Sequence, residues 1–409
     1  MVRYLYRHIF IVYFFRLFPD TEDRETGDSL MEPKKKTMQD YIASCPEMIR
    51  ANTAESRQLT EPLVNAFLQG NYRTIVIIAC GSSMNASLCA RPFLRKMLGV
   101  EVKVTAPFTF VTCEHDLRAD EFPIVVSQSG YSLNAIEAAD VIKASGRFCM
   151  ALTGDLNSDL VKHCDAAADY GVGRETVGFV TRGVTALVLY FILFAIEAGS
   201  ACGKINAQDA ASLKEQLMRC ADVNAEVQKN WEAFFEAHHA SLSSMKTVFF
   251  CGVGANLGSA MEGALKFSET LSLPAFAYEA EEYIHGPNYQ MNPDYTVFLI
   301  DSPAGGTRIR KIYEGTALVT EHACLITSDP EYTGDRVFRL PCDIMEEMTP
   351  LCILPFIQLT AWKLAEEQDS WVKHPLVQKM QKYVSSKSEN YINSPFSEDT
   401  PGRNPEDPI

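Results

Sequence analysis

Lys266 and Glu269 stand three residues apart in a stretch whose apolar residues, Leu265, Phe267 and Leu271, recur at helical spacing, so both project from one helix face. Residues 274–278 are aromatic and extended in character. Residues 281–287, Glu-Glu-Tyr-Ile-His-Gly-Pro, are too rich in turn formers to prolong a helix. The chain can therefore fold a loop bearing Glu282 and His285 back beside the Lys266/Glu269 face. Carboxylates, an imidazole and an ammonium within one short reach suit proton transfer at a carbon next to a carbonyl. Taken alone, such a Lys/Glu pair is most often a solvated helix pair, and His-Gly-Pro is most often a turn. The rest of the chain moves that balance.

Two hydroxyl-rich loops supply the complementary chemistry. Gly81-Ser82-Ser83 and Ser127-Gln128-Ser129-Gly130-Tyr131-Ser132 each follow an apolar strand and open a helix. A helix N-terminus offers free N–H groups and positive partial charge, serines add hydroxyls, and glycine lets the backbone approach an anion closely. Helix capping is the commonest use of such serines, but two such loops beyond adjacent strand ends favour phosphate binding. No Lys or Arg is needed for it.

The elements that must position these groups alternate in type. Strands at 74–80, 102–105, 123–126 and 148–152, with a fifth at 166–170, are separated by helical segments. This pattern predicts an α/β fold with parallel strands covered on both faces, and ligands in such sheets sit beyond the carboxyl ends of the strands. Residues 178–198 form an apolar helix long enough to span a bilayer. It carries Glu197 and lies within a βα series, so a core helix is expected. After a polar helical connection over 201–245, the pattern repeats. Residues 246–256 echo 75–85, and Cys80 precedes Ser127 by 47 residues as Cys251 precedes Asp301 by 50. Two copies of one unit follow from this. Asp301 and Pro303 stand where the first copy has Ser127 and Ser129, and a carboxylate repels phosphate. The first copy is thus expected to bind phosphate and the second to supply Glu269 and His285.

Composition narrows the function classes. Of 409 residues, 47% are hydrophobic and 22% charged, and the formal net charge is −15, without the basic stripe of a nucleic-acid binder. Twelve cysteines occur with no CxxC spacing, which argues against zinc or a disulfide framework. Cys80, Cys251 and Cys324 in apolar runs suit a reduced, cytoplasmic protein with buried thiols. Residues 1–18 hold an apolar run from Ile9 to Phe15, too short to cross a membrane. Residues 1–37 read as a disordered or non-native extension, with Met31 or Met38 as reasonable starts.

Cys80-Gly81-Ser82-Ser83-Met84-Asn85, Ser127-Gln128-Ser129-Gly130, Thr181-Arg182-Gly183-Val184-Thr185, and Ala264-Leu265-Lys266…Glu269 followed 16 residues later by His285-Gly286-Pro287 occur in an order that resembles the sugar isomerase (SIS) family. It resembles in particular tandem proteins such as the isomerase half of glutamine–fructose-6-phosphate amidotransferase and phosphosugar deglycases. The resemblance covers roughly residues 38–391. It implies two doubly wound, flavodoxin-like three-layer α/β/α subdomains in tandem: 38–200 with N-terminal helices, and 246–368. A C-terminal active-site tail over 369–391 and a disordered tail over 392–409 would follow.

The resemblance also implies roles. Ser83, Ser127, Gln128, Ser129 and Ser132, with Ser82 beside them, would hold a sugar 6-phosphate. Glu269 would move a proton between C1 and C2. His285 would assist ring opening, from the partner subunit of a homodimer with a shared active site. Lys387, with Lys379 and Lys382 as neighbouring alternatives, would form an imine, and Thr181 and Arg182 would line the sugar site. Arg182 replaces a usual Lys, and with Val2 where a glutaminase would carry cysteine, neither a glutaminase domain nor ammonia from glutamine is expected within this chain. The expected partner is a hexose 6-phosphate derivative, with no metal or cofactor, nucleic acid or membrane. The expected reaction is deglycation of a fructosamine 6-phosphate. A glucosamine-6-phosphate-type isomerase or aminotransferase and a non-enzymatic sugar-phosphate sensor are the alternatives.

Overall fold

The computed structural model describes residues 36–301, 305–341, 344–394 and 396. Of the extension expected over 1–37, residues 1–35 lie outside the described residues, as does the tail beyond 396, while Thr37 caps the helix Met38–Ala43 by accepting the Asp40 N–H at 3.3 Å. β1 (Thr74–Ile78), β2 (Glu101–Thr105), β3 (Glu121–Val126), β4 (Met150–Thr153) and β5 (Ala166–Asp169) form one parallel sheet in the order β2-β1-β3-β4-β5. β1, β3 and β4 are buried throughout, whereas the edge strand β2 exposes Glu101 and Lys103. Central strands covered on both faces must be apolar, and charge at an edge discourages further pairing.

β6 (Thr247–Gly252), β7 (Ala275–Glu279), β8 (Tyr295–Ile300), β9 (Ala323–Thr327) and β10 (Val337–Arg339) form the second parallel sheet, in the order β10-β9-β8-β6-β7. With β6 in place of β1 and the rest in turn, the two orders coincide. The duplicated unit read from the strand–turn–helix echo is therefore the architecture of the chain.

The helix after the first strand of each copy crosses its counterpart. Ser82–Leu98 packs on Ala255–Leu271, and Gly258 allows it: a Cβ there would lie 2.6 Å from the Asn85 carbonyl oxygen and the Cys89 nitrogen. This crossing carries the Lys266/Glu269 helix of the second copy to the loops of the first.

The apolar helices Arg182–Ala201 and Pro350–Glu367 lie in the main core. By length and composition both could cross a membrane, but more than four-fifths of each apolar window is buried by the protein itself. The connection between the copies is a 37-residue helix, Ala207–Ser243. It packs on Cys45–Ala54 and Pro350–Glu367, with Trp231 Nε1 donating to Thr360 Oγ1 at 2.9 Å and Asn224 Nδ2 to the Leu351 carbonyl at 2.6 Å.

Four local expectations change. Residues 281–284 are helical rather than loop, within Ala280–Ile284, because the Glu279 carboxylate caps the first turn by accepting the N–H groups of Glu281 and Glu282 at 2.8 and 3.1 Å. The apolar helix expected from residue 178 begins at Arg182. Cys80 is exposed, while Cys251 and Cys324 are buried, since Cys80 lies past the end of β1 in the turn. In the stretch expected to be disordered from 392, Ser394 and Phe396 are buried, and Phe396 accepts the Tyr391 hydroxyl at its carbonyl at 3.0 Å.

Candidate active site

A cavity of about 470 Å³ opens beyond the carboxyl ends of β1 and β3. Both hydroxyl loops, Glu175, residues 177–180, Glu269 and Lys387 line it.

The loop after β3 is a tight turn. Gly130 has φ +72°, and its N–H donates to the Ser127 carbonyl at 3.0 Å. Ser132 precedes the helix Leu133–Ala144 without a side-chain capping bond, and Gly81 precedes Ser82–Leu98 likewise. The Ser132 hydroxyl is therefore not consumed by helix capping, whereas Ser127 Oγ and Ser129 Oγ accept the Gly130 and Tyr131 N–H groups of their own turn at 3.2 and 3.4 Å and keep their hydrogens for an acceptor. Ser127, Gln128 and Ser129 are buried around the cavity. Ser82 behaves differently: its hydroxyl donates to Glu262 at 3.0 Å and accepts from Lys266 at 3.3 Å.

A Cβ on Gly130 would stand 1.9 Å from Ser158 Oγ, in a conformation that L side chains avoid. Gly130→Ala is expected to shift this turn and lower affinity for inorganic phosphate by about tenfold or more, measured by calorimetry. Unchanged affinity would remove the loop from that role.

Glu269 projects from the helix Ala255–Leu271 into the cavity, with about a quarter of its side chain exposed. Lys266, wholly buried, contacts Glu269 and lies 3.2 Å from the equally buried Glu262, which also accepts Asn85 Nδ2 at 2.9 Å. Burial would lower the Lys266 pKa, but the two carboxylates outweigh it and hold the ammonium charged. Burial raises the Glu269 pKa; Lys266 opposes the rise and Glu262 adds to it. A carboxylate held above its ordinary range suits a general base near neutrality.

Gln128 leads to a group that sequence reading passed over. Its Nε2 donates to Glu175 at 2.7 Å. Glu175, itself buried, also receives the backbone N–H groups of Thr181, Arg182 and Gly183 at 3.0, 2.6 and 3.1 Å. Burial raises its pKa, opposed by those bonds. It anchors residues 177–180, whose Phe179 stacks on Trp371 at 6.1 Å. A lone Glu in Gly173-Arg174-Glu175-Thr176 carries no local signal. Only the helix start at Arg182, which leaves three N–H groups to satisfy, could have pointed to it. Glu262 was equally silent, being one more polar residue on a helix.

Other expected residues fall elsewhere. Thr181 is buried but turns its hydroxyl to the Phe179 carbonyl. Arg182 reaches Ser44 Oγ at 3.2 Å and the Arg174 carbonyl at 3.0 Å, and lies over the Tyr41 ring. Neither lines the cavity: Thr181 bonds back to its own loop, and Arg182 faces the N-terminal helices. Glu282 and His285 are exposed and outside the cavity lining of their own chain. The loop does not fold back on the Lys266/Glu269 face, since β7 carries the chain to the far edge of the second sheet. Lys379 and Lys382 are exposed on the helix Pro375–Val384, whereas Lys387 enters the cavity. Its Nζ donates to Ser129 Oγ at 3.0 Å and Ser132 Oγ at 3.1 Å, and burial lowers its pKa.

Comparison with known proteins agrees with this architecture. The SIS domain model matches residues 71–196 and 241–309. Glutamine–fructose-6-phosphate aminotransferase (isomerizing) of Gloeobacter violaceus is 27% identical over 349 residues, covering 81% of this chain and 56% of that protein. The counterpart from Pseudomonas putida is 26% identical over 336 residues, covering 76% and 53%. The chain thus spans about half the length of the curated relatives it matches. Among solved structures, the C-terminal domain of glucosamine-fructose-6-phosphate aminotransferase from Francisella tularensis superposes with a TM-score of 0.71 at 21% identity, covering 83% of this chain and 98% of that one.

Proposed function

We propose that this chain, a tandem SIS-domain protein homologous to the isomerase half of glutamine–fructose-6-phosphate aminotransferase, is a phosphosugar deglycase of the isomerase type. The supporting observation is the shared cavity. Hydroxyls of the first copy, at Ser83, Ser127, Ser129 and Ser132, face the Glu269 carboxylate of the second across one pocket. A 6-phosphate at the loops would hold an open-chain sugar with C1 and C2 toward Glu269, and fixing the reacting carbon beside its base is a large part of such catalysis.

On a fructosamine 6-phosphate, Glu269 takes a proton from C1 and the carbonyl oxygen at C2 gains one, giving an enaminol. Return of the proton to C2, with the nitrogen's hydrogen passing to the group that protonated the oxygen, leaves an imine between C1 and nitrogen. Water adds to C1, the C–N bond breaks, and glucose 6-phosphate leaves with a free amine; no electrons are exchanged with another reagent. Lys266 keeps Glu269 placed and charged, and Gln128 with Glu175 fixes the wall beside the phosphate loop. His285 serves ring opening from a second copy in a homodimer. In support, His285 is exposed, and the tail helix presents Leu376, Met380 and Val384 each more than half exposed.

The relatives' names favour a second reading, in which fructose 6-phosphate and ammonia yield glucosamine 6-phosphate. One assay separates the two. The protein is incubated with fructosamine 6-phosphates of several amino acids, and separately with fructose 6-phosphate plus ammonia. Release of glucose 6-phosphate from the adducts is expected. Glucosamine 6-phosphate alone would establish the second reading, and retained sugar-phosphate binding with no turnover would make the protein a sensor.

A further inference from the structure

Away from the cavity, Cys149 and Cys164 bring two thiols side by side. Their sulfurs lie 3.4 Å apart, the one thiol–thiol contact among the described residues. Other buried thiols meet oxygen instead: Cys45 donates to the Tyr41 carbonyl at 3.4 Å, and Cys89 lies 3.8 Å from Ser259 Oγ. The backbone holds the pair in place. The Asp165 N–H donates to the Cys149 carbonyl at 2.9 Å, and the Cys149 N–H donates to Asp165 Oδ2 at 2.8 Å. These bonds tie the start of β4 to the start of β5. Sulfurs in a disulfide stand about 2.0 Å apart, so joining the two needs an approach of about 1.4 Å.

The two thiols differ in access. Cys149 is wholly buried, while Cys164 is partly exposed. The neighbouring Cys164 and burial both raise the Cys149 pKa, which makes it the poorer first nucleophile. A partly accessible thiol beside a second, sheltered one is the arrangement of an oxidisable pair and its resolving partner.

The segment between them reaches both walls of the candidate site. Thr153 Oγ1 and the Gly154 N–H donate to the Gln128 carbonyl at 3.2 and 2.9 Å, and the Leu160 N–H donates to the Gly130 carbonyl at 2.9 Å. Asp159, 8% exposed, accepts Ser388 Oγ at 2.7 Å and Asn390 Nδ2 at 3.0 Å. Residues 150–163 therefore support the loop after β3 and hold the tail that carries Lys387.

We propose that Cys149 and Cys164 are a peroxide-oxidised dithiol whose disulfide locks this segment. The Cys164 thiolate attacks one oxygen of hydrogen peroxide. The O–O bond breaks, the sulfur becomes a sulfenic acid, and the departing hydroxide takes up a proton as water. The Cys149 sulfur then attacks the sulfenic sulfur. An S–S bond forms, the S–O bond breaks, and hydroxide leaves with the Cys149 proton as a second water. The two thiols lose two electrons in all, and one peroxide becomes two waters. The covalent loop removes open conformations of the residues it encloses. None of this depends on which sugar the cavity takes.

The test treats the full chain with hydrogen peroxide, blocks the remaining thiols and maps peptides without reduction. A peptide pair joined through Cys149 and Cys164 is expected. Dimedone, which traps sulfenic acid, should label Cys164 about tenfold more in Cys149→Ser than in wild type, because the adjacent thiol otherwise intercepts it. Hydrogen exchange of amides 154–163 should slow by about tenfold in the disulfide form and recover with dithiothreitol. The proposal is overturned if the pair stays reduced while the exposed Cys113 and Cys202 are oxidised. It is overturned equally if Cys164 ends as a sulfinic acid with Cys149 still free, or if Cys164→Ser leaves Cys149 oxidised at the wild-type rate. A disulfide that forms without slowing exchange over 154–163 would overturn the lock. The wild-type map decides the chemistry even where a serine variant fails to fold.

Discussion

Glu269→Gln is expected to lower kcat on fructosamine 6-phosphate by about 10²- to 10⁴-fold, the usual worth of a positioned general base, while leaving glucitol 6-phosphate affinity close to wild type. Glutamine keeps the shape of the side chain and an oxygen for Lys266, so a merely structural role would be spared by this change. The pH profile adds a second readout. The base works deprotonated, and burial holds its pKa above the ordinary carboxylate range. Activity should therefore rise with pH along an acid limb displaced upward from that of a free glutamate. In Glu269→Gln the residual rate should lose this limb. Rates from pH 4 to 9 on one fructosamine 6-phosphate would show it; a variant with more than a tenth of wild-type kcat would exclude Glu269 as the base.

The sequence announced some of this and concealed the rest for definite physical reasons. Short apolar runs bounded by glycine and serine located β1, β3, β6 and β8, because strands buried on both faces leave a continuous hydrophobic mark. The echo of residues 75–85 in 246–256 disclosed the duplication. Glu269 was conspicuous through its spacing from Lys266. Glu262 and Glu175 were not, because each acts only through groups brought close by folding: Ser82 and Asn85 lie 180 and 177 residues from Glu262 in the chain. The same blindness misplaced His285. Its loop was read as returning to its own helix, since chain proximity was the available guide, but β7 intervenes and adds to the outside of the second sheet. Lys387 could not be told from Lys379 and Lys382 by sequence. Its distinction is the backbone pairing with Ser132, a contact spanning 255 residues.

Lys266→Met is expected to destabilise the protein by about 3–5 kcal/mol, the cost of leaving a buried charge without its partner. Lys266 and Glu262 are both wholly buried, and Lys266 is the ion-pair partner of both Glu262 and Glu269. Its loss leaves two carboxylates facing each other where water cannot screen them. The pair is therefore better understood as a requirement for placing Glu269 than as a source of stability. Neutralising both members at once, in Lys266→Met with Glu262→Gln, should recover much of the loss, because a buried pair replaced by neutral groups of similar volume is often near neutral in stability. The pH dependence has a definite sign. Without Lys266, the larger of the two cationic influences lowering the Glu269 pKa disappears and Lys373 alone remains, so that pKa rises further above its unfolded value. The folded variant then binds more protons than the unfolded chain, and its stability falls as pH rises through the shifted pKa. The deficit relative to wild type should accordingly be smaller at pH 5 than at pH 8. Urea midpoints at unchanged m value measure it; equal midpoints for Lys266→Met and wild type at pH 8 would mean that the cluster is hydrated and that Glu269 is not held as its burial implies.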